Sequence, residues 1–243
     1  MKIYCTRNEL NRAINNVSHS IPTRTPSPIL EGILIETKGD RMYLTATDTN
    51  MTIESNIPVD SEGDVSFVIE EKNFANIVNK LPEEEVLMDY NHEKNQIKIN
   101  SGKSSSTFNC FSADEFPRFN IGEGQKIILS KKDIKNLIRK TSFSASADEL
   151  NGVLTGILIE LGDGNLRMVA VDTFRMAIYN AKVDTDEKLS IVVPAKLLGE
   201  VSKIISDDDN DEQLFMEIVD NKVVMLFDNN RVILNTLNGK YID

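Results

Sequence analysis

The sequence predicts an α+β chain made of two copies of one domain, each with two helices packed on one side of an antiparallel sheet. Three observations carry this. The pentapeptide Gly32-Ile33-Leu34-Ile35-Glu36 returns unchanged as Gly156-Ile157-Leu158-Ile159-Glu160, 124 residues later. At the same spacing and without a gap, Ser18 falls on Ser142, Leu30 on Leu154, Ala46 on Ala170, Val68 on Val192 and Lys72 on Lys196. Each half also sets two stretches of helical period among short runs of strand character bounded by turn residues. A repeat this long is a duplicated domain, not a short solenoid unit.

The first domain spans residues 1–122. A strand at 2–5 leads to a helix over 7–20, where Leu10, Ala13, Ile14 and Val17 form a stripe. Pro22, Pro26 and Pro28 bar any helix from the next segment. Strands near 29–37, 41–47, 50–58 and 64–69 follow, divided by Gly39-Asp40, Asp48-Thr49 and Glu62-Gly63. A second helix over 72–81 carries Phe74, Ile77, Val78 and Leu81 and ends at Pro82, before strands near 85–90, 95–100 and 105–111. Gly122 to Gly124 is the candidate linker.

The order restarts in the second domain, residues 126–243. A strand at 126–129 precedes a helix over 131–143 with Ile134, Leu137 and Ile138 inward. Strands near 153–161, 165–171, 174–183 and 188–193 follow, and Asp163-Gly164 is the clearest hairpin turn. A helix over 195–205 buries Leu197, Leu198, Val201, Ile204 and Ile205, and strands near 213–219, 222–227 and 231–237 close the domain.

A chain of 243 residues, 40% hydrophobic and 27% charged, is long enough for two cores and reads as soluble and globular. It shows neither a membrane span nor a signal-peptide core. Cys5 and Cys110 have no CxxC spacing, which suits free thiols in a reducing cytoplasm. The net charge of −11 argues against a nucleic-acid partner until its distribution is counted. The windows 7–20, 70–80, 130–144 and 194–204 carry +1, 0, +4 and +1, so the helices hold +6 and the remainder −17. A basic helical layer can hold a phosphate backbone, because the local field governs contact. The bland alternative is a set of solvated helix faces.

Signals of catalysis are missing. His19 and His92 occupy unrelated places in the repeat, and no nucleophile elbow, phosphate loop or zinc spacing occurs. Asp48 and Asp172 could suggest an acid/base couple, but capping of a tight turn is the plainer reading. The acidic run 207–212 has the alternate carboxylates of a calcium loop but lacks its glycine and its bidentate acid, so it reads as a solvated loop. Ser104-Ser105-Ser106 reads as an exposed polar strand.

Several stretches together resemble one family. They are Arg24-Thr-Pro26-Ser-Pro28-Ile29-Leu30, Leu44-Thr-Ala-Thr-Asp48, Val153-Leu154-Thr155-Gly156, Val169-Ala-Val-Asp172-Thr-Phe-Arg175-Met176-Ala177, Val192-Val193-Pro194-Ala195-Lys196 and Asn238-Gly239-Lys240-Tyr241-Ile242. All are similar to the bacterial sliding clamp, the beta subunit of DNA polymerase III, in register over the entire chain. The resemblance implies duplicated DNA-clamp domains, the first two of the family's three, with the third domain absent.

It further implies a non-catalytic, cytoplasmic subunit of the DNA polymerase III holoenzyme: a processivity factor in DNA replication that needs no cofactor. As a head-to-tail homodimer when full length, it would encircle double-stranded DNA. Backbone attraction without base readout lets such a ring slide. Arg24, Lys80 and Lys196 match the family's DNA-contact positions, and Lys131, Lys135 and Arg139 of the most basic helix join them as candidates. The strand edge at Lys103, Ser105 and Phe108 would meet the partner subunit. A pocket for short peptide motifs of the DNA polymerase III catalytic subunit, the clamp loader and repair polymerases would have Leu154, Val171, Thr173, Phe174, Arg175, Met176 and Ile242 as its walls. Phe174 stands where the family more often has a small polar residue or histidine, and Ile242 where proline is usual. Asn151 and Gly152 stand where an arginine and an aromatic or proline are common. The rival readings are an enzyme acting at the Asp-Thr turns and a protein-interaction module without DNA binding.

Overall fold

A computed structural model describes residues 1–119, 121–122, 124, 126–185, 187–206 and 212–242. The chain divides into two compact units, Met1–Asn120 and Ile121–Asp243.

In the first unit, β1 (Lys2–Thr6) runs into α1 (Arg7–Ser18), and a 3-10 turn (Pro28–Glu31) leads to β2 (Gly32–Lys38). Then come β3 (Arg41–Thr47), β4 (Met51–Pro58), a two-residue β5 (Asp60–Ser61), β6 (Ser66–Glu70), α2 (Glu71–Asn79), β7 (Glu85–Asn91), β8 (Gln96–Ser101) and β9 (Ser104–Ser112). Their order in space is β4-β3-β2-β6-β9-β8-β7-β1-β5, with every pairing antiparallel. The Thr6 hydroxyl accepts the Glu9 N–H at 3.3 Å and so starts α1. The helix buries the expected stripe of Leu10, Ala13, Ile14 and Val17 and packs against β3, β4 and α2.

The second unit repeats the order: β10 (Lys126–Ser130), α3 (Lys131–Thr141), β11 (Gly156–Gly162), β12 (Asn165–Val171), β13 (Met176–Lys182), β14 (Leu189–Pro194), α4 (Ala195–Ile204), β15 (Gln213–Val219), β16 (Lys222–Phe227) and β17 (Asn230–Asn235). The Ser130 hydroxyl caps α3 by accepting the Asp133 N–H at 3.0 Å, the counterpart of Thr6 and Glu9. The strands form two antiparallel ladders, β10-β15-β16-β17 and β13-β12-β11-β14, joined by one bridge between Val192 and Leu237. The corresponding junction in the first unit is a fuller ladder, in which Phe67, Val68 and Ile69 pair with Ser112, Phe111 and Cys110.

The repeated glycine has a packing reason. A Cβ on Gly32 would lie 2.5 Å from Val68 Cγ1, and one on Gly156 would lie 2.5 Å from Val192 Cγ1. Each glycine and its valine are held at the same spacing in both units, so the close approach of two strands was duplicated with them. The Asp163-Gly164 turn forms as expected, with φ of 50° and 72° joining Gly162 to Asn165.

The helices and strands depart from expectation at their ends. The helix expected over 7–20 stops at Ser18, and the one expected over 131–143 stops at Thr141, before a 3-10 turn (Ser142–Ser144). Ser18 Oγ donates to the Ile14 carbonyl at 2.8 Å and Thr141 Oγ1 to the Leu137 carbonyl at 2.6 Å, side-chain bonds that compete with helix continuation. The strands expected from 29 and 153 begin later, at the two glycines. A 3-10 turn precedes each, opened by Pro28 in one unit and by the Asp148 carboxylate accepting the Leu150 N–H at 3.0 Å in the other.

Cys5 and Cys110 are free and buried, and burial pushes each thiol up to about 12. No helix among the described residues is long and apolar enough to cross a membrane. Residues 207–211 of the acidic run lie outside the described residues, and Glu212 is taken up below.

Candidate functional site

The aspartates of the paired turns act as the plainer reading expects. Asp48 Oδ1 accepts the N–H groups of Asn50 at 2.9 Å and Met51 at 2.7 Å. Asp172 Oδ1 accepts those of Phe174 at 2.8 Å and Arg175 at 2.9 Å. Asp172 also takes the Arg175 Nε at 3.1 Å through Oδ2. The Phe174 N–H, with the backbone and guanidinium of Arg175, holds the Asp172 carboxyl below its ordinary value of 3.8. Both carboxylates are spent on structure.

The expected DNA-contact residues fall into different places. Arg24, Lys80, Lys196 and Arg139 are exposed, as contact with a phosphate backbone requires. Arg24 lies in the loop ahead of the first 3-10 turn, Lys80 directly follows α2, and Lys196 sits in the first turn of α4. Lys131 is a correction. Its side chain is 1% exposed, and its ammonium pairs with the carboxylates of Glu212 and Asp228. Burial alone would depress this ammonium, but hydrogen bonds and charge from Asp228 and Glu212 outweigh it and raise Lys131 above 10.5. A lysine committed in this way offers nothing to a phosphate. Lys135 is half-buried and donates to the Ile205 carbonyl at 3.1 Å, tying α3 to the end of α4. Arg139 donates to Asn136 Oδ1 at 3.1 Å, and the Lys140 ammonium lies 4.2 Å from the centre of the Tyr179 ring.

The strand edge is also visible within the first unit. One side of β9 pairs with β8 from Ser104 to Asn109, but β6 reaches the other side only at Cys110, Phe111 and Ser112. Among the described residues of this unit, Ser104 to Asn109 therefore has one side without a strand partner. Lys103 and Ser105 are exposed there. Phe108 turns inward, edge-on to Phe74 with centroids 6.3 Å apart.

The second unit carries a second apolar cluster with a groove beside it. On the face of β11, β12 and β14 away from the helices, Leu158, Val169, Val171 and Val192 pack with Tyr241 as a second core, flanked by Val153, Leu154 and Leu237. Tyr241 pins the end of the chain over this face. Its hydroxyl accepts the Val171 N–H at 3.2 Å and donates to the Gly156 carbonyl at 3.2 Å, and burial raises it above 10.0. The tail reaches Tyr241 through Gly239, where φ is 142° and a Cβ would lie 2.6 Å from Val153 Cγ1. The first unit has the equivalent cluster of Leu34, Val68, Ala113 and Phe116 with Ile29 against it. Beside the Tyr241 cluster lies a cavity of about 540 Å³ of mixed character, with Met176, Leu237, Tyr241 and Ile242 in its wall and Glu160, Arg167, Ser190, Asn221, Asn238 and Lys240 around them.

Of the expected pocket walls, Leu154 and Val171 pack in the Tyr241 cluster, and Met176 and Ile242 line the cavity beside it. Thr173, Phe174 and Arg175 stand on the adjoining turn, exposed, with Phe174 95% so. Leu158, Val169, Val192, Leu237 and Tyr241 were not expected there. Their signal is an apolar run on both faces of β11 and β12, which requires cover on both sides.

Comparison with known proteins agrees with this architecture. The family described as DNA polymerase III beta subunit, N-terminal domain, matches residues 1–120, and its central domain matches residues 128–243. A beta sliding clamp of Halalkalibacterium halodurans is 35% identical over 242 residues, covering 94% of this chain and 63% of that protein. The crystal structure of the DNA polymerase sliding clamp from Bacillus subtilis superimposes with a TM-score of 0.96 at 32% identity, over 100% of this chain and 66% of that one. That of the DNA polymerase beta subunit from Streptococcus pyogenes gives 0.94 at 27% identity, with the same coverage. The fold is that of duplicated α+β clamp domains. The chain belongs to the DNA polymerase III beta subunit family and spans slightly under two thirds of the length of these relatives.

Proposed function

We propose that the chain serves as a DNA sliding clamp, a processivity factor without a chemical step of its own. In this reading it works in the cytoplasm as part of a ring-forming homodimer around double-stranded DNA. Short peptide segments of the DNA polymerase III catalytic subunit, the clamp loader and repair polymerases dock in its groove. The carrying observation is that both units match successive domains of one clamp family. The unpartnered side of β9, the exposed Arg24, Lys80, Lys196 and Arg139, and the groove at Tyr241 support the three parts of the reading in turn. The domain limits 1–122 and 126–243 belong to the same proposal, with a third domain completing the ring.

Retention on DNA tests it. Loaded on nicked circular DNA, a chain carrying all three domains should stay bound through a salt wash and be released when the circle is cut. Equal retention on circular and linear DNA would refute encirclement. A second reading, a protein-interaction module without DNA binding, gains support from Lys131 and Lys135, whose ammonium groups are engaged inside the unit. DNA affinity that does not fall with salt would favour it, since phosphate contacts weaken steeply with ionic strength.

A further inference from the structure

An asparagine followed by glycine cyclises most readily, because glycine sets no Cβ beside the attacking backbone nitrogen. The chain has two such pairs, Asn151-Gly152 and Asn238-Gly239, all four residues exposed. The structure separates them. Asn151 lies in the 3-10 turn Glu149–Thr155, where its N–H donates to the Asp148 carbonyl at 3.0 Å and its side-chain amide donates to Ser146 Oγ at 2.7 Å. That Nδ2 is the group cyclisation expels, so the bond to Ser146 has to be given up before the ring can close.

Asn238 carries no such restraint. Among the described residues neither its side chain nor the Gly239 N–H takes part in a hydrogen bond, and the pair lies outside every helix and strand. The ends of its segment, by contrast, are fixed. The Leu237 N–H donates to the Val192 carbonyl at 2.8 Å, and the Tyr241 hydroxyl bridges Val171 and Gly156. Only Asn238, Gly239 and Lys240 span the interval, and at Gly239 even an added Cβ would lie 2.6 Å from Val153 Cγ1. The first unit approaches its equivalent cluster through the 3-10 turn Ala113–Glu115 and Phe116, without an Asn-Gly pair.

We infer that Asn238-Gly239 is a site of spontaneous deamidation in the folded chain, and that its isoaspartyl product releases Tyr241 from the sheet. The Gly239 nitrogen bonds to Asn238 Cγ and gives up its proton, and Nδ2 leaves as ammonia, which forms a five-membered imide. Water then opens the ring without any change of oxidation state. Cleavage at Cγ leaves an aspartate in the ordinary backbone. Cleavage at the main-chain carbonyl carbon of Asn238 routes the chain through Cβ and Cγ and lengthens it by one carbon. That carbon enters an interval held at both ends, and the weaker hold, the tyrosine bridge, yields. Either product sets a new carboxylate where Asn238 stands in the cavity wall.

The test incubates the chain at mildly alkaline pH, digests it, and resolves asparaginyl, aspartyl and isoaspartyl peptides by liquid chromatography and mass spectrometry. The one or two hydrogen bonds that hold Asn151 should make Asn238 react about five- to thirtyfold faster in the folded chain. In denaturant the two sites should react at similar rates, since only the fold distinguishes them. Ser146→Ala, which removes the acceptor at Asn151, should narrow the gap in the folded chain. Asn151 reacting as fast as Asn238 in the folded native chain overturns the site. The consequence is read by hydrogen exchange at the Val171 amide, which should quicken in the isoaspartyl fraction. The same incubation of Asn238→Gln, whose six-membered ring closes far more slowly, should leave that exchange unchanged. Native exchange at Val171 in the isoaspartyl fraction overturns the release of Tyr241.

Discussion

Lys131→Met tests the assignment of this lysine to the interior. The methionine keeps the apolar stem packed and removes only the ammonium. Losing one member of a fully buried ion pair costs about 3–5 kcal/mol. Here the lysine is 1% exposed, but Glu212 and Asp228 retain 51% and 32% exposure and can rehydrate. A loss of about 2–3 kcal/mol is therefore expected. Urea unfolding of the full chain at neutral pH should show a lower midpoint with an unchanged slope.

The pH dependence has a definite sign. Lys131 is raised above 10.5 in the folded chain, so its contribution is complete below 10.5 and lost as pH rises through the higher folded value. In that alkaline range the gap between native and variant should narrow. DNA binding gives the converse check. Lys131→Met should leave the slope of affinity against salt unchanged, whereas Arg139→Ala should make it shallower by about one unit. A stability change below about 0.5 kcal/mol, the size expected of an exposed pair, would refute the buried assignment.

Three further outcomes follow from the second unit. Tyr241→Phe should cost about 1–2 kcal/mol, because the Val171 N–H and the Gly156 carbonyl lose their partner; thermal unfolding indistinguishable from native would contradict that bridge. Gly239→Ala should lift the tail off the sheet, since φ there suits glycine and the added methyl meets Val153. It would show as faster hydrogen exchange at the Val171 amide, and unchanged exchange would count against the pinned tail. The Asp172 carboxyl should titrate below 3.8 by NMR, so the stability it adds is present above 3.8 and fades as pH falls through the depressed folded value. A titration at or above 3.8 would contradict the double capping.

Much of the fold is legible because its signals are local. The stripes of α1 and α3, the Asp163-Gly164 hairpin and the repeated pentapeptide each reside within a dozen residues, and the 124-residue register places them against one another. Helix ends escape prediction because Ser18 and Thr141 turn their hydroxyls back on the helix, a choice that periodicity does not record. The groove is half legible: Leu154, Val171, Met176 and Ile242 stand out by resemblance. Leu158 and Tyr241 become visible only once β11 is understood to be apolar on both faces. Lys131 is legible only in part. Three residues before Ile134 it falls on the buried stripe of α3, unlike its exposed neighbour Lys132, but the carboxylates that pair with it lie 81 and 97 residues away.

The two cysteines give the chain an asymmetry useful at the bench. Cys5 lies on β1 and Cys110 on β9, both in the first unit, and the second unit has no cysteine at all. With thiols buried and raised to about 12, neither reacts until its strand opens. The rate of labelling by a thiol reagent therefore times the opening of one half of the molecule while the other half stays silent. A duplicated protein carries, in these two side chains, a clock for one of its halves.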